Sequence, residues 1–387
     1  MVAAGRDVTL DLIRGLCLVS MTLAHLAPGS VPDRVVKAGT TSLFDGASGF
    51  FLISGIVLGL VHQRRAATVP LRTVEEASLR RAGLLYVAHV VPLVIALLVA
   101  QQVATAAAWT DVARYGGWDG ALTAAATLQL NPQYFGILSV YIVLMLLVAA
   151  LLPLFRAERL WTVAAIVAGV YVAAWLAPVP FTLPEAPGVR GFWSWGGWQA
   201  LFFVGMLLGW RWERWELRRW LTDRRTVAVV ALVTGALIAF ARLLVMDVPV
   251  TPGGVVEEEL RFALYGKGAM GPLRILVSLG GVALLYAVVQ FVTDRGWFAG
   301  VRRAVARIGR KALDAFVISR FAIVALPFLP FSGRSGWIAA GYALLTLVVS
   351  WAWAGFREGQ ARTRRERAAA TTPTTTAVTG RRDGRSD

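Results

Sequence analysis

The sequence predicts an all-α, polytopic membrane protein of about ten transmembrane helices with both termini in the cytoplasm. Three observations predict it: long unbroken apolar blocks, too few charges for a wetted surface, and basic residues concentrated in alternate connecting segments. Of 387 residues 57% are hydrophobic and only 16% charged, whereas a soluble domain carries roughly a quarter charged residues. A water-soluble fold of this length has no interior large enough to hide so many apolar stretches.

Apolar blocks long enough to consider as spans lie near 9–28, 43–62, 82–105, 134–154 and 160–177, then near 194–210, 226–246, 273–292, 312–331 and 336–355. Block 43–62 is glycine-rich and 194–210 is short, so nine or eleven spans are alternatives. With the N-terminus inside, the cytoplasmic segments hold 28 Lys and Arg against 7 in the external loops. The reverse topology inverts that bias, which sets the orientation. Asp11 and Arg14 interrupt what would be the apolar core of a signal peptide, so residues 9–28 are predicted to stay as a first helix. The net charge of +16 resides in these loops and not in a basic stripe, which argues against nucleic-acid binding. Trp210 to Trp220 (WRWERWELRRW) reads as an interfacial helix at headgroup depth. Residues 1–356 form one helical bundle, and 357–387 read as a basic, disordered cytoplasmic tail. The single cysteine, Cys17, excludes disulfides within the chain.

Ionisable side chains inside spans are costly, and each is a functional candidate. The first helix carries Asp11, Arg14 and His25. Arg14 and His25 are eleven residues apart, nearly on one face and about 16 Å apart along the axis. Asp11 and Arg14, at i and i+3, are spaced to pair. Asp45 begins the second span at about the depth of His25. A carboxylate on one imidazole nitrogen fixes the tautomer and makes the other nitrogen a better base; the blander roles are an interfacial histidine and a helix cap. Gly55 and Gly59 make a small-xxx-small step for close helix approach. Arg80 and Arg81 abut the third span, where guanidinium groups can hold phosphates. His89, Asp314 and Arg320 are buried polar residues without an assigned role, as are Arg242 and Arg274; Arg320 lies too deep to snorkel easily and needs a partner. There is no Walker A loop, HExxH, CxxC or GxSxG, and no metal site is expected.

Three stretches carry a resemblance: RDVTLDLIRGLCLVSMTLAHL at the start, FDGASGFFLISGIVLGLVHQRR at 44–65 and LRRAGLLYVAHV at 79–90, with a weaker match in IGRKALDAFVISR at 308–320. They resemble the OpgC-type branch of membrane acyltransferases, related to the acyltransferase-3 superfamily. The pattern is LDxxRG, a His ten residues after that Gly, then FxxxSG. The resemblance implies a ten-helix bundle in the bacterial inner membrane. It would move an acyl group, succinyl in the name-giving case, from cytoplasmic acyl-CoA to a hydroxyl of an extracytoplasmic glycan, with no bound cofactor. His25 would be the catalytic base oriented by Asp45, and Asp11, Arg14, Arg80 and Arg81 would shape the donor site. Leu84 stands where the superfamily has the second Arg of an RxxR pattern. The alternative is a carrier or flippase for a lipid-linked sugar or small anion that uses the same polar face without chemistry.

Overall fold

A computed structural model describes residues 7–37, 44–102, 110–132, 134–189, 191–242, 263–326, 329 and 336–371. The helices are α1 (Val8–Leu26), α2 (Val31–Lys37), α3 (Gly46–Ala66), α4 (Leu71–Ala100), α5 (Trp118–Ala126), α6 (Gly136–Arg156) and α7 (Leu160–Leu176). They continue with α8 (Trp195–Trp210), α9 (Leu217–Thr222), α10 (Arg224–Ala241), α11 (Pro272–Asp294), α12 (Ala299–Arg310), α13 (Ala312–Ala325) and α14 (Trp337–Thr371). Every apolar block read from the sequence coincides with one of these helices. Among the described residues seven helices are long and apolar enough to cross a membrane: α1, α3, α4, α6, α10, α11 and α14. The other three blocks form shorter helices, α7, α8 and α13, of 17, 16 and 14 residues. The chain is a helical membrane protein.

Side-chain caps fix several helix starts. Asp7 accepts from the backbone of Thr9 and Leu10, Asp45 from Ser48, Ser194 from Gly197 and Asp223 from Thr226. Each satisfies a donor that the first turn of a helix leaves unpaired.

Glycines set the tightest packing. A Cβ on Gly55 or Gly59 would lie 2.1 or 2.2 Å from the carbonyl oxygens of Phe202 and Met206 in α8. In return, one on Gly205 or Gly209 would lie 2.4 or 2.0 Å from those of Leu52 and Ile56 in α3. Two backbones therefore meet directly along a reciprocal seam, as small residues allow in apolar surroundings. The same device docks α12 on α1, where Gly15 faces the Val305 carbonyl and Gly309 that of Asp11. Beside the seam, Phe51 packs on Tyr141 and Trp198 with ring centroids 4.4 and 4.6 Å away.

Two segments depart from the sequence reading. Trp210–Trp220 is not one interfacial helix: α8 ends at Trp210, and Glu216 takes a left-handed backbone (φ 46°) before α9 begins. Trp210 and Trp212 are buried; Trp210 donates to Glu158 and Trp212 packs on Tyr286, which draws the segment into the bundle. The last helix carries past 356 to Thr371, anchored by Arg357 on Asp314 and by Glu358 on Arg307 and Arg310. Residues 372–387 of the expected tail lie outside the described residues.

Candidate functional site

Polar side chains run along α1 from end to end. At its start Asp7 accepts from the Tyr286 hydroxyl at 2.9 Å, and the Thr9 hydroxyl donates to Gln290 at 2.8 Å. Asp11 is buried. One turn on, Arg14 donates through Nη2 to the Ser54 hydroxyl at 3.2 Å, and its guanidinium stands 5.6 Å from the Phe50 ring centre. Tyr141, which donates to the Phe50 carbonyl at 3.3 Å, lies within electrostatic reach of both Arg14 and Arg81. At the far end the His25 ring meets Tyr134 edge-on, with centroids 5.2 Å apart. The structure thus gathers Arg14, Ser54 and Tyr141 at one depth of α1 and His25 with Tyr134 at another.

Asp45 is engaged differently from the expectation. Its carboxylate caps α3 through the Ser48 backbone at 2.8 Å and hydroxyl at 3.1 Å, and forms ion pairs with Lys267 at 2.8 Å and Arg274 at 3.6 Å. His25 is not among its described contacts. Two cations, Lys267 from the segment leading into α11 and Arg274 from its first turn, outcompete an imidazole for the carboxylate, because charge-assisted bonds are the stronger kind. Arg274 is itself buried and donates to the Tyr265 carbonyl at 3.0 Å. Arg242 is exposed just beyond α10.

The remaining sequence candidates divide. Arg80 has 82% of its side chain exposed and pairs with Glu76 at 3.7 Å, one turn away on its own helix, an arrangement worth little. Arg81 is exposed yet lies within electrostatic reach of buried His62 and Tyr141, which sets it apart from Arg80. His89 and Arg320 are neighbours, both fully or nearly fully buried. The Arg320 guanidinium stands 4.1 Å from the Phe316 ring centre and 5.7 Å from that of Phe135. No carboxylate pairs with it among the described residues; the aromatic faces take that place. Phe135 follows Tyr134, so His25 and Arg320 flank the same stretch leading into α6. Asp314 ties α13 to α14 through Arg357 at 3.5 Å. Among the described residues no group of three or more His, Cys, Asp or Glu is placed to hold a metal ion.

Two open clefts flank the start of α1, with volumes of about 820 and 790 Å³. A third, of about 450 Å³, is an apolar groove floored by Cys17, Ser20, Asp45 and Thr234. Sequence reading missed Ser54, Tyr141, Tyr134 and Lys267. Ser54 lies in the quoted FxxxSG stretch, and Lys267 is one of two cations in the segment 247–272; the two tyrosines carry no local signal.

A family model described as OpgC protein matches residues 6–361. No curated protein and no solved structure matches the chain.

Proposed function

The chain belongs to the OpgC family, and from that premise we propose that it is an integral membrane O-acyltransferase. It transfers an acyl group, succinyl in the case that names the family, from cytoplasmic acyl-CoA to a hydroxyl of an extracytoplasmic glycan. In this reading all ten apolar helices span the bacterial inner membrane, and both termini are cytoplasmic.

The observation that carries the reading is the polar line along α1. Arg14 is anchored on Ser54 and His25 on Tyr134, so groups suited to an anionic donor and to proton transfer occupy successive depths of one helix. His25 takes the proton of the acceptor hydroxyl as general base. The oxygen attacks the thioester carbonyl, the new ester forms as the carbon–sulfur bond breaks, and the proton passes to the departing thiolate. Arg14 and Arg81 receive the donor, with Asp11 beside them toward the cytoplasmic side, while Arg80, turned to solvent and paired with Glu76, adds only general positive charge. Asp45 holds Lys267 and Arg274 at the external mouth, and acts on His25 through the shape of that mouth and not by direct contact.

Mass spectrometry of envelope glycans tests this in vivo. A strain lacking the gene should lose one ester, restored by the wild-type chain and not by His25→Gln. An unchanged set of esters in the deletion strain would overturn the proposal.

A further inference from the structure

The two clefts beside α1 differ in charge. The one near α9 carries arginines balanced by Asp7, Glu213 and Glu216, with Arg64 bonded to Glu213 and Arg219 to Glu216. The one beneath α12 is lined by Arg302, Arg303, Arg307 and Arg310 and by no acid. These four positions fall within one side of a helix at 100° per residue. Glu358 pairs with Arg307 at 3.2 Å and Arg310 at 2.8 Å, one carboxylate for two cations. Among the described residues, Arg303 bonds only the Ala299 carbonyl, at 3.3 Å, and the buried Nε of Arg302 has no hydrogen-bond partner. The rest of the lining is mostly apolar, including Val8, Leu12 and several alanines, and Trp351 stands under Arg307 with 5.3 Å from guanidinium to ring centre.

Arginines over an apolar floor, with a tryptophan at the boundary, match an amphiphile with an anionic head. The position also argues against the thioester donor. Thr9 and Leu12 line this cleft, and at 100° per residue they point some 140–160° away from Arg14 on α1. The cleft therefore opens on the side of α1 away from Arg14 and His25.

We propose that the cleft formed by α12, α1 and α14 is a binding site for an anionic glycerophospholipid, with the lipid phosphate held by Arg302 and Arg303 and its acyl chains along the apolar wall. The ligand locks α12 onto α1 at the basic end of the bundle. Arg307 and Arg310, fixed by Glu358, set the electrostatic field and leave the other two to bind.

Native mass spectrometry of the full-length protein with phosphatidylglycerol, cardiolipin or phosphatidylcholine tests the site. The wild type should retain the two anionic lipids in preference to phosphatidylcholine. Arg302→Gln with Arg303→Gln should weaken that retention roughly thirtyfold, the worth of two basic residues near an anionic surface, and leave phosphatidylcholine unchanged. Lys at both positions should restore much of it, since a phosphate accepts a point charge. The double Gln variant is expected to fold, because Arg303 is exposed and Arg302 only half-buried; its thermal unfolding in detergent, measured alongside, confirms that. Equal lipid retention in the folded double variant would overturn the proposal. So would loss of coenzyme A binding in phosphatidylcholine nanodiscs on the same substitutions, which would assign the cleft to the donor.

Discussion

Gly55→Ala puts one methyl group into the α3–α8 seam, where its Cβ would lie 2.1 Å from the Phe202 carbonyl oxygen and 3.0 Å from the Met206 nitrogen. Both are backbone atoms, so no side chain can swing away. Restoring ordinary contact requires the helices to part by about 1 Å in a close-packed interior. That movement also opens the contacts at Gly59, Gly205 and Gly209. Overpacking of this kind costs about 1–3 kcal/mol, and the upper end applies because the obstruction is backbone. Alanine returns roughly 0.8–1.0 kcal/mol as the better helix former. The net loss is about 2 kcal/mol, roughly thirtyfold in the folding equilibrium. Gly83 and Gly169 also sit within helices, but a Cβ on either would meet nothing within 4 Å. Gly83→Ala and Gly169→Ala should therefore be neutral or stabilising, by up to about 1 kcal/mol. Reversible unfolding of the three variants in mixed micelles gives the comparison. Equal effects at Gly55 and Gly83 would refute the seam as the source of stability.

Further outcomes follow from the same structure. Cys17 is the single native thiol and is buried, so introduced cysteines report cleanly on topology: Pro184→Cys should react with an impermeant reagent outside the cell, and Ala67→Cys and Thr222→Cys should not. Labelling at Ala67 in sealed cells would reverse the orientation. Arg81→Gln should weaken acyl-CoA binding roughly tenfold, the size of one lost charge-assisted bond, while Arg80→Gln, solvent-exposed and paired only with Glu76, should change it little; equal effects would argue against Arg81 facing the donor. Asp45→Asn keeps a good helix cap but leaves Lys267 and Arg274 unneutralised. It should destabilise by about 1–3 kcal/mol, less than a fully buried broken pair because Asp45 and Lys267 are about one-third exposed. Adding Lys267→Met should recover part of that loss, and no recovery in the unfolding assay would mean that the pair contributes nothing.

Much of the architecture was legible because hydrophobic blocks and helix-interior glycines act locally. Each apolar block became a helix, and the Gly55–Gly59 step found its partner. What the sequence hid was which partner: Gly205 and Gly209 answer those glycines from 150 residues away, and nothing in the α3 segment names α8. The site divides in the same way. Asp11, Arg14, His25 and Asp45 stand out as charges in apolar surroundings, but contacts are set by tertiary packing. Asp45 meets Lys267 across more than 200 residues instead of the nearer His25. Arg320, whose depth called for a partner of unspecified kind, found aromatic faces. Trp212 went inward because Tyr286 offered a partner, a possibility invisible in a segment that reads as an amphipathic surface helix.

The central claim is that His25 performs the chemistry while the arginine-rich side receives the donor. Acyl transfer in vesicles reconstituted with the full-length protein, acyl-CoA being supplied on that side and the glycan on the other, tests it most directly. His25→Gln keeps a hydrogen-bonding group beside Tyr134 but takes no proton at neutral pH. Transfer should fall roughly 10²–10⁴-fold, the usual size of a lost general base, with acyl-CoA affinity unchanged. Transfer by His25→Gln at close to the wild-type rate would contradict the account.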